Sequence, residues 1–385
     1  MTATISGTIS GPGTPVVPDT VTDTVAGTLV CTAVEDVTHD VRSFVLRPAV
    51  PTAYRFEPGQ HLTVTVPVDG AQLSRCYTIA SSPRRPEELT ITVKRVPGGP
   101  VSGWLHDRLR VGDAVAVDGP LGVFSTAHHP ASHYLFLSAG SGITPLMSML
   151  RTIHADREDV DVVFVHHART PADIVFRDEL RAIEADHPGV RVVVVCETDA
   201  ADEPWPGPRG RVSLAQLRDA APDLAGREVF TCGPAPYMAA VRDLLAEAGA
   251  APERCHEESF VLAGAAAALG AAGAVGAVGA DGSSGAAGSA GSVGAAAGPA
   301  YAVELRRSGR SFRCDTDTPL LAAAAAAGIT LPSSCQEGVC GTCKTQLLEG
   351  RVDMDHQGGI RPREVAQGQV LLCCSTPTED VVLDA

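Results

Sequence analysis

The chain has 385 residues, enough for two or three domains, and 44% of them are hydrophobic, which suffices for several packed cores. Its formal net charge of −15 argues against binding to nucleic-acid phosphates. Glycine interrupts every apolar stretch before it reaches the ~18 residues of a membrane-spanning helix, so no membrane segment is expected. The 11 cysteines are an odd number and mostly scattered, which argues against a disulfide framework.

The first 27 residues (1–27) differ in composition from the rest of the chain. They are rich in Thr, Gly, Pro and Ser and contain neither Lys nor Arg. They have neither the charged start nor the apolar core of a secretory signal, and their composition predicts a disordered tail.

Residues 28–127 show the pattern of a small antiparallel β-barrel. Short stretches of alternating hydrophobicity are separated by turn signals such as Pro58-Gly59 and Asp69-Gly70. Many short strands with regularly spaced turns are typical of such barrels. The predicted strands are Val30–Val34, Arg42–Leu46, His61–Val66, Cys76–Ala80, Leu89–Val93 and Ala114–Val117.

Four consecutive residues of this region, Arg75-Cys76-Tyr77-Thr78, include side chains suited to a flavin. A flavin needs a cation for its pyrophosphate, a planar ring to pack on the isoalloxazine and a small donor near N5. Arginine, tyrosine and threonine provide these groups, and strand alternation puts Arg75 and Tyr77 on one face. The run alone is a weak signal, because a strand of this composition is usually only structural.

Two later segments favour the flavin interpretation. Lys94 adds a cation directly after the next predicted strand. A turn at Pro100 then leads into a short predicted helix through Val101 and Ser102, and the backbone amides at such a helix start suit a phosphate. We therefore expect a flavin nucleotide on this domain.

Residues 128–262 change to an alternation of strands and helices, which predicts a parallel, doubly wound α/β sheet. The predicted strands are Tyr134–Leu137, Asp161–Val165, Val190–Val195 and Glu228–Phe230, and the predicted helices cover 145–154, 173–186 and 235–248.

A glycine turn follows the first strand of this sheet, in the run Gly140-Ser-Gly142-Ile-Thr144-Pro145. Glycines let the backbone approach a dinucleotide pyrophosphate, and the helix start that follows attracts negative charge. The third glycine of the dehydrogenase fingerprint is missing, so a classical dinucleotide-binding dehydrogenase is not favoured.

A second motif, Cys232-Gly233-Pro234, follows the last predicted strand. The carboxyl ends of strands are where doubly wound sheets bind their ligands. Arg169 follows the second strand, where an adenosine ribose would lie. It could meet a 2′-phosphate or merely stack, so the pattern does not distinguish NADH from NADPH as the electron donor.

Several histidines stand outside any recognisable motif. For His61, His106, His128 and His129 a surface or core role is favoured over a ligand role, and His166 and His167 are interpreted as strand-end residues without chemistry.

Residues 263–300 consist almost wholly of Ala and Gly, with some Ser and Val and one charged residue, Asp281. Recurrent glycines, each costing about 1 kcal/mol in a helix, oppose the helical preference of the alanines. The segment is predicted to be a flexible linker between separately folding domains, and a passive low-complexity insertion is the alternative.

Residues 301–385 carry four cysteines with the spacing of a [2Fe–2S] site. Cys335, Cys340 and Cys343 are crowded together, and Cys373 follows well downstream. The spacing C-x₄-C-x₂-C with a distant fourth cysteine is that of plant-type ferredoxins. Zinc is the weaker alternative, because its sites usually show two close pairs or a mixture with histidine. A cluster that needs reduced thiolates fits the cytoplasm.

Cys374 stands next to the predicted fourth ligand. If both cysteines lie on a strand, they point to opposite sides and only one of them reaches the iron. The proline at 377, four residues after Cys373, matches the ferredoxin pattern and selects Cys373.

The three units in this order resemble the ferredoxin–NADP reductase superfamily, joined to a plant-type ferredoxin domain of the α+β, β-grasp class. They are similar to the reductase components of Rieske oxygenases, and residues 350–374 look closest to glycine betaine monooxygenase reductases and hybrid-cluster protein reductases. The resemblance implies FAD, with FMN as the alternative, and NADH or NADPH as electron donor. The implied flavin contacts are Arg75, Cys76, Tyr77, Thr78, Lys94, Pro100, Val101, Ser102 and Phe260, although Phe260 fits a plain core contact equally well; the implied nicotinamide contacts are Gly140, Gly142, Thr144, Arg169, Cys232, Gly233 and Pro234.

The resemblance further implies the order of reaction. Hydride passes from NAD(P)H to the flavin beside Thr78 and Cys232, the two expected catalytic residues, and single electrons leave through the cluster. The expected acceptor is a Rieske-type oxygenase similar to glycine betaine monooxygenase. The alternatives are a hybrid-cluster protein as acceptor, or a non-catalytic iron–sulfur scaffold or sensor.

Overall fold

We describe the fold from a computed structural model of the chain. The described residues are 21–22, 25–157, 159–259, 299–333, 338, 341–356 and 359–385. Most of the predicted tail and linker, together with Phe260, Cys335 and Cys340, lie outside these residues.

The first domain is built on an antiparallel sheet of β2 (Val25–Thr38), β3 (Val41–Pro48), β5 (His61–Val68), β6 (Ala71–Thr78), β7 (Leu89–Lys94) and β8 (Ala114–Leu121), in the order β6-β5-β8-β2-β3-β7. The sheet curls until its edges meet, where Ile79 bridges Ile91 and the Ala80 N–H donates to the Thr90 carbonyl at 2.7 Å. This closure makes the predicted barrel. Helix α1 (Pro100–Arg108) packs on β5 and β6, and two short strands, β1 (Val21–Thr22) and β4 (Ala53–Tyr54), pair in parallel.

The second domain is the predicted doubly wound sheet, and all of its strands are parallel. Its strands are β9 (His133–Ala139), β10 (Asp161–Ala168), β11 (Val190–Cys196), β12 (Glu228–Gly233) and β13 (Cys255–Ser259), in the order β11-β10-β9-β12-β13. The chain order reverses between β9 and β12, which creates a crevice at their carboxyl ends. The helices are α2 (Ile143–Asp156), α3 (Arg177–Asp186), α4 (Leu214–Ala220) and α5 (Ala235–Glu247).

The third domain is a small α+β unit. Its main sheet has the order β15-β14-β20-β16-β18, in which β14 and β20 are parallel, and β17 pairs separately with β19. Helix α6 packs against β15, as expected of a β-grasp domain. The elements are β14 (Ala300–Leu305), β15 (Arg310–Asp315), α6 (Leu320–Ala326), β16 (Lys344–Glu349), β17 (Val352–Met354), α7 (Pro362–Ala366), β18 (Gln369–Leu371), β19 (Ser375–Pro377) and β20 (Val381–Leu383).

The predicted strands of the first two domains all occur, usually a few residues longer than expected. The predicted helix 173–186 begins only at Arg177, because Phe176 before it has a left-handed backbone (φ 57°) and Pro171–Asp173 form a separate 3-10 turn. The sequence reading missed β13, whose mixed run Cys255–Ser259 shows no apolar periodicity. Among the described helices, none is long and apolar enough to span a membrane.

Candidate flavin, nicotinamide and cluster sites

The crevice between β9 and β12 brings the two predicted nicotinamide motifs together. Gly140–Gly142 form a 3-10 turn between β9 and α2, and Cys232 and Gly233 end β12. A Cβ atom on Gly142 would lie 2.3 Å from the Cys232 carbonyl oxygen, so only glycine allows this approach of the two loops. Thr144, buried in the first turn of α2, donates to the Ser141 carbonyl at 3.2 Å.

Strand register places a carboxylic acid beside the predicted catalytic cysteine. Cys232 pairs with Glu258 of β13, and both side chains are buried. Burial raises the pKa of the Cys232 thiol well above its usual value, and the nearby Glu258 raises it further. Burial also raises the pKa of Glu258 to about 8. At neutral pH both groups are therefore mainly protonated, and the 4.0 Å contact between Glu258 and His61 Nδ1 involves a largely neutral carboxyl rather than a strong ion pair.

Two buried histidines support this crevice from β10. The His166 Nδ1 lies 2.8 Å from the Ser138 hydroxyl, next to Cys232 in the sheet, and the His167 Nδ1 lies 3.2 Å from the Tyr237 hydroxyl. Burial lowers the pKa of His166 to about 3 and that of His167 to about 4, so both stay neutral. Through these hydrogen bonds they orient the Ser138 and Tyr237 side chains.

The flavin side of the site lies at the end of β6. Thr78 is buried, and its hydroxyl has no hydrogen-bond partner in the described residues, although such a group normally finds one. A flavin edge next to this hydroxyl would supply the partner. Burial raises the pKa of the Tyr77 phenol, so it stays neutral. Arg75 and Cys76 precede it on β6, and the Arg75 guanidinium donates to the Ser74 carbonyl at 2.7 Å.

The predicted phosphate-binding turn leads into helix α1 and is closely packed. Ser102 is buried, accepts from the Val96 N–H at 3.2 Å and donates to the Gly99 carbonyl at 3.4 Å. Pro100 opens the helix and Val101 is buried in the barrel core. The side chain of Ser102 thus holds the turn in place, and the N–H groups of Val101 and Ser102 lie in the first turn of α1, where a helix offers them no intrahelical acceptor.

An acidic residue that sequence reasoning missed, Asp40, joins two predicted cofactor cations. Lys94 Nζ lies 3.1 Å and Arg169 Nη2 lies 3.6 Å from the same Asp40 oxygen. Arg169 also pairs with Asp173 at 2.6 Å, and its side chain is 61% exposed. The β2–β3 turn of the barrel therefore reaches the end of β10, where an adenosine ribose would lie.

Helix α2 fixes the distance between the two cofactor-binding domains. Ser148 is fully buried and donates to the Ser81 carbonyl at 2.8 Å, and Arg151 donates to the Ala80 carbonyl at 2.6 Å. These carbonyls follow Thr78 by only two or three residues. The nicotinamide crevice at the start of α2 and the flavin side at the end of β6 are thereby held as one unit.

The described part of the cluster site also fits its predicted ligands. Cys343 and Cys373 are buried, and the Leu372 N–H donates to the Cys343 carbonyl at 3.3 Å. The Gly338 N–H, from the cysteine loop, donates to the Cys373 sulfur at 3.3 Å. Such N–H donors are the kind of partner that stabilises cluster sulfurs.

Cys373 and Cys374 do not lie on a strand, so the expectation that a strand would separate them is wrong. Leu372–Cys374 form a 3-10 turn after β18, so the two cysteines do not alternate along a strand. Cys374 is only half-buried and its sulfur approaches the Leu371 carbonyl at 3.7 Å. The hydrogen bond to Cys373 raises the pKa of Cys374, and burial raises it further. Cys373 remains the predicted ligand, now because it faces Gly338.

Each of the three domains matches the model of a known protein family. Residues 28–126 match the model of an oxidoreductase FAD-binding domain, residues 136–243 that of an oxidoreductase NAD-binding domain and residues 303–378 that of a 2Fe-2S iron-sulfur cluster binding domain. Together with the fold, these matches define a flavin- and iron–sulfur-containing NAD(P)H oxidoreductase that uses FAD, NAD(P)H and a [2Fe–2S] cluster.

Proteins that resemble this chain along most of their length identify its family. The glycine betaine monooxygenase reductase subunit of Pseudomonas aeruginosa is 41% identical over 347 residues, which cover 90% of this chain and 92% of the relative. The stachydrine N-demethylase reductase subunit of Rhizobium meliloti is 39% identical over 86% of this chain and 89% of its own. The solved phthalate dioxygenase reductase is 25% identical with a TM-score of 0.53, over 93% of this chain and 97% of that chain. The chain belongs to this family of NAD(P)H-dependent flavin and [2Fe–2S] reductases.

The close approach at Gly142 yields a direct prediction. In Gly142→Ala the new methyl group meets the Cys232 backbone, so the two loops must separate, and we expect flavin reduction by NADH to slow at least about ten-fold. Stopped-flow absorbance at the flavin band measures this rate. Gly226→Ala is the matched control, because no atom lies within 4 Å of its added Cβ. Equal rates in the two variants would contradict the role of this approach.

Proposed function

We propose that this reductase delivers electrons singly to a Rieske-type terminal oxygenase similar to glycine betaine monooxygenase. The observation that carries the proposal is the match over nine-tenths of the chain to a reductase subunit of that oxygenase. The second relative is also a reductase subunit, of an N-demethylase.

The chain's residues then have distinct tasks around the cofactors. When bound, the flavin accepts two electrons as hydride from the nicotinamide and releases them one at a time to the cluster. Gly142 lets the glycine turn pack directly on the Cys232 backbone at the crevice, and the Thr78 hydroxyl would donate to the flavin. Because Cys232 and Glu258 are neutral, the crevice adds no full charge that would oppose the approach of a hydride donor.

A short route leads from the flavin side to the cluster domain. Thr78 of β6 pairs with His61 of β5, and His61 pairs with Leu121 of β8. Neighbouring strands lie ~4.8 Å apart, so Thr78 and Leu121 are about 10 Å apart across the sheet. A Cβ on Gly341 would lie 3.4 Å from Leu121 Cδ1, and Gly341 is two residues from the predicted ligand Cys343.

Arg361 holds the cluster domain against this end of the barrel. Its guanidinium donates to the Gly119 carbonyl at 2.8 Å and lies 3.4 Å from Glu364. Glu364 in turn pairs with Lys344 at 2.8 Å, next to Cys343. We infer that Arg361 is a positioning residue for electron transfer from flavin to cluster. A guanidinium bound to neutral carbonyls is less sensitive to salt than an ion pair between domains.

Removal of this contact should slow the internal transfer. In Arg361→Ala we expect loss of a charge-assisted hydrogen bond worth about 1.5 kcal/mol, and thus roughly ten-fold slower cluster reduction after flavin reduction. Stopped-flow spectra at flavin and cluster wavelengths separate the two steps.

The matched control is Arg310→Ala, which loses a comparable arginine-to-carbonyl bond to Gly328 within the cluster domain. Flavin reduction should be unchanged in both variants. The positioning role is wrong if Arg361→Ala transfers electrons to the cluster as fast as the wild type, or if Arg310→Ala slows it equally.

The choice of the fourth ligand has its own test. Cys373→Ser should lose the visible absorbance and the EPR signal of the cluster, whereas Cys374→Ser should keep both, because only Cys373 receives the Gly338 N–H. Flavin content and flavin reduction by NADH report that the other domains are intact. A cluster that survives in Cys373→Ser and disappears in Cys374→Ser would reverse the assignment.

The function itself is tested on the holoprotein. Anaerobic titration with NADH and with NADPH should bleach the flavin and produce a reduced-cluster EPR signal, and the donor that acts at lower concentration is the natural one. With electrons from this reductase, the purified oxygenase component of glycine betaine monooxygenase should then turn over its substrate. Turnover only with a hybrid-cluster protein would identify that protein as the electron acceptor instead. If NAD(P)H does not reduce the cluster, the chain is a non-catalytic iron–sulfur scaffold or sensor.

A further inference from the structure

A second cluster of ligand-type side chains lies away from the cofactor crevice. Glu228 is the first residue of β12, His256 is the second residue of β13, and His129 lies in the connector that leads from the barrel to β9. Glu228 and Cys232 are four residues apart on one strand, or about 13 Å at ~3.3 Å per residue. The cluster therefore sits at the amino ends of the parallel strands, opposite the end that serves the nicotinamide.

The three side chains are in mutual contact. His256 Nε2 lies 2.6 Å from Glu228 Oε1, and the rings of His129 and His256 stack with centroids 3.6 Å apart and planes 24° apart. One ligand atom from each residue lies within 4.8 Å of the other two. The Phe230 ring forms an apolar wall, 4.8 Å from the His256 ring and 6.0 Å from the His129 ring.

The donor set suits a divalent transition metal. Two imidazoles and one carboxylate, with water in the fourth position, are ligands that zinc binds in proteins. A metal ion bound between the two imidazoles and Glu228 would use all three groups.

A modest rearrangement converts the cluster into a coordination sphere. Ligand atoms at ~2.0–2.2 Å from a tetrahedral zinc ion are about 3.3 Å from one another. The His256–Glu228 hydrogen bond would open by less than an ångström, and the His129 ring would rotate, because stacked rings direct their lone pairs in parallel. His256 and Glu228 keep 14% and 16% of their side-chain areas exposed, which gives a water ligand access to the site.

We propose that His129, Glu228 and His256 form a binding site for one zinc-type divalent ion. The ion would tie the connector between barrel and sheet to the last two strands of the nicotinamide domain. This proposal does not depend on which oxygenase the reductase serves, since the site is separate from the electron route.

The test uses the holoprotein, loaded with FAD and cluster, in buffer free of chelators. Calorimetric titration with zinc chloride should show one tight event, which His129→Gln and Glu228→Gln weaken at least about 100-fold. His128→Gln is the matched control, because His128 is the adjacent histidine and pairs instead with Glu57 at 2.7 Å. Flavin and cluster spectra report whether each variant is folded.

X-ray absorption at the zinc edge of the wild-type complex keeps the test decisive even if a variant fails to fold. We expect a shell of nitrogen and oxygen at about 2.0–2.2 Å with imidazole scattering and no sulfur. A sulfur shell would assign the zinc to cysteines and overturn the proposal. So would the same zinc isotherm in all variants, or no binding below millimolar zinc.

Discussion

The buried contact of helix α2 with the barrel is the constraint on which the rest of the reductase depends. Ser148 and Arg151 donate to the carbonyls of Ser81 and Ala80, just after Thr78, while the other end of the same helix carries Gly142 and Thr144. A rigid helix thus sets the separation between the flavin side and the nicotinamide crevice. Hydride transfer requires reacting atoms at near contact distance, so a shift of about 1 Å in this packing would matter more than the loss of a surface contact.

The crevice itself is kept neutral by burial. Cys232, Glu258, His166 and His167 are all titratable, yet desolvation holds each in its uncharged form at neutral pH. Neutral groups hydrogen-bond without competing with the cofactors' own charges. The cations lie outside, at Lys94 and Arg169, where the barrel and the parallel sheet meet over Asp40. Charge at the rim and neutrality at the centre suit NAD(P)H, whose phosphates are ionic and whose reduced nicotinamide ring is uncharged.

The cluster domain contacts the barrel through fewer described interactions than helix α2 makes. Its described contact with the barrel is small, with Arg361 on the Gly119 carbonyl and Gly341 near Leu121. Because both domains belong to one chain, their effective concentration is high, and a small contact is enough to populate this arrangement.

Periodicity and motif spacing in the sequence predicted the barrel strands, the parallel sheet, the glycine turn at Gly140–Gly142 and the 2Fe-2S domain. These are local patterns, in which each residue's place follows from its neighbours along the chain. The partners of those residues could not be predicted in the same way. Glu258 lies beside Cys232, and Asp40 beside Lys94 and Arg169, only because strands distant in sequence align in a particular register. The turn that separates Cys373 from Cys374, the reach of Arg361 to Gly119 and the meeting of His129, Glu228 and His256 likewise depend on how separate elements pack. The sequence alone therefore determined which chemistry the chain carries, and the tertiary structure decided which side chains surround it, because contacts between distant segments are set by packing and not by local pattern.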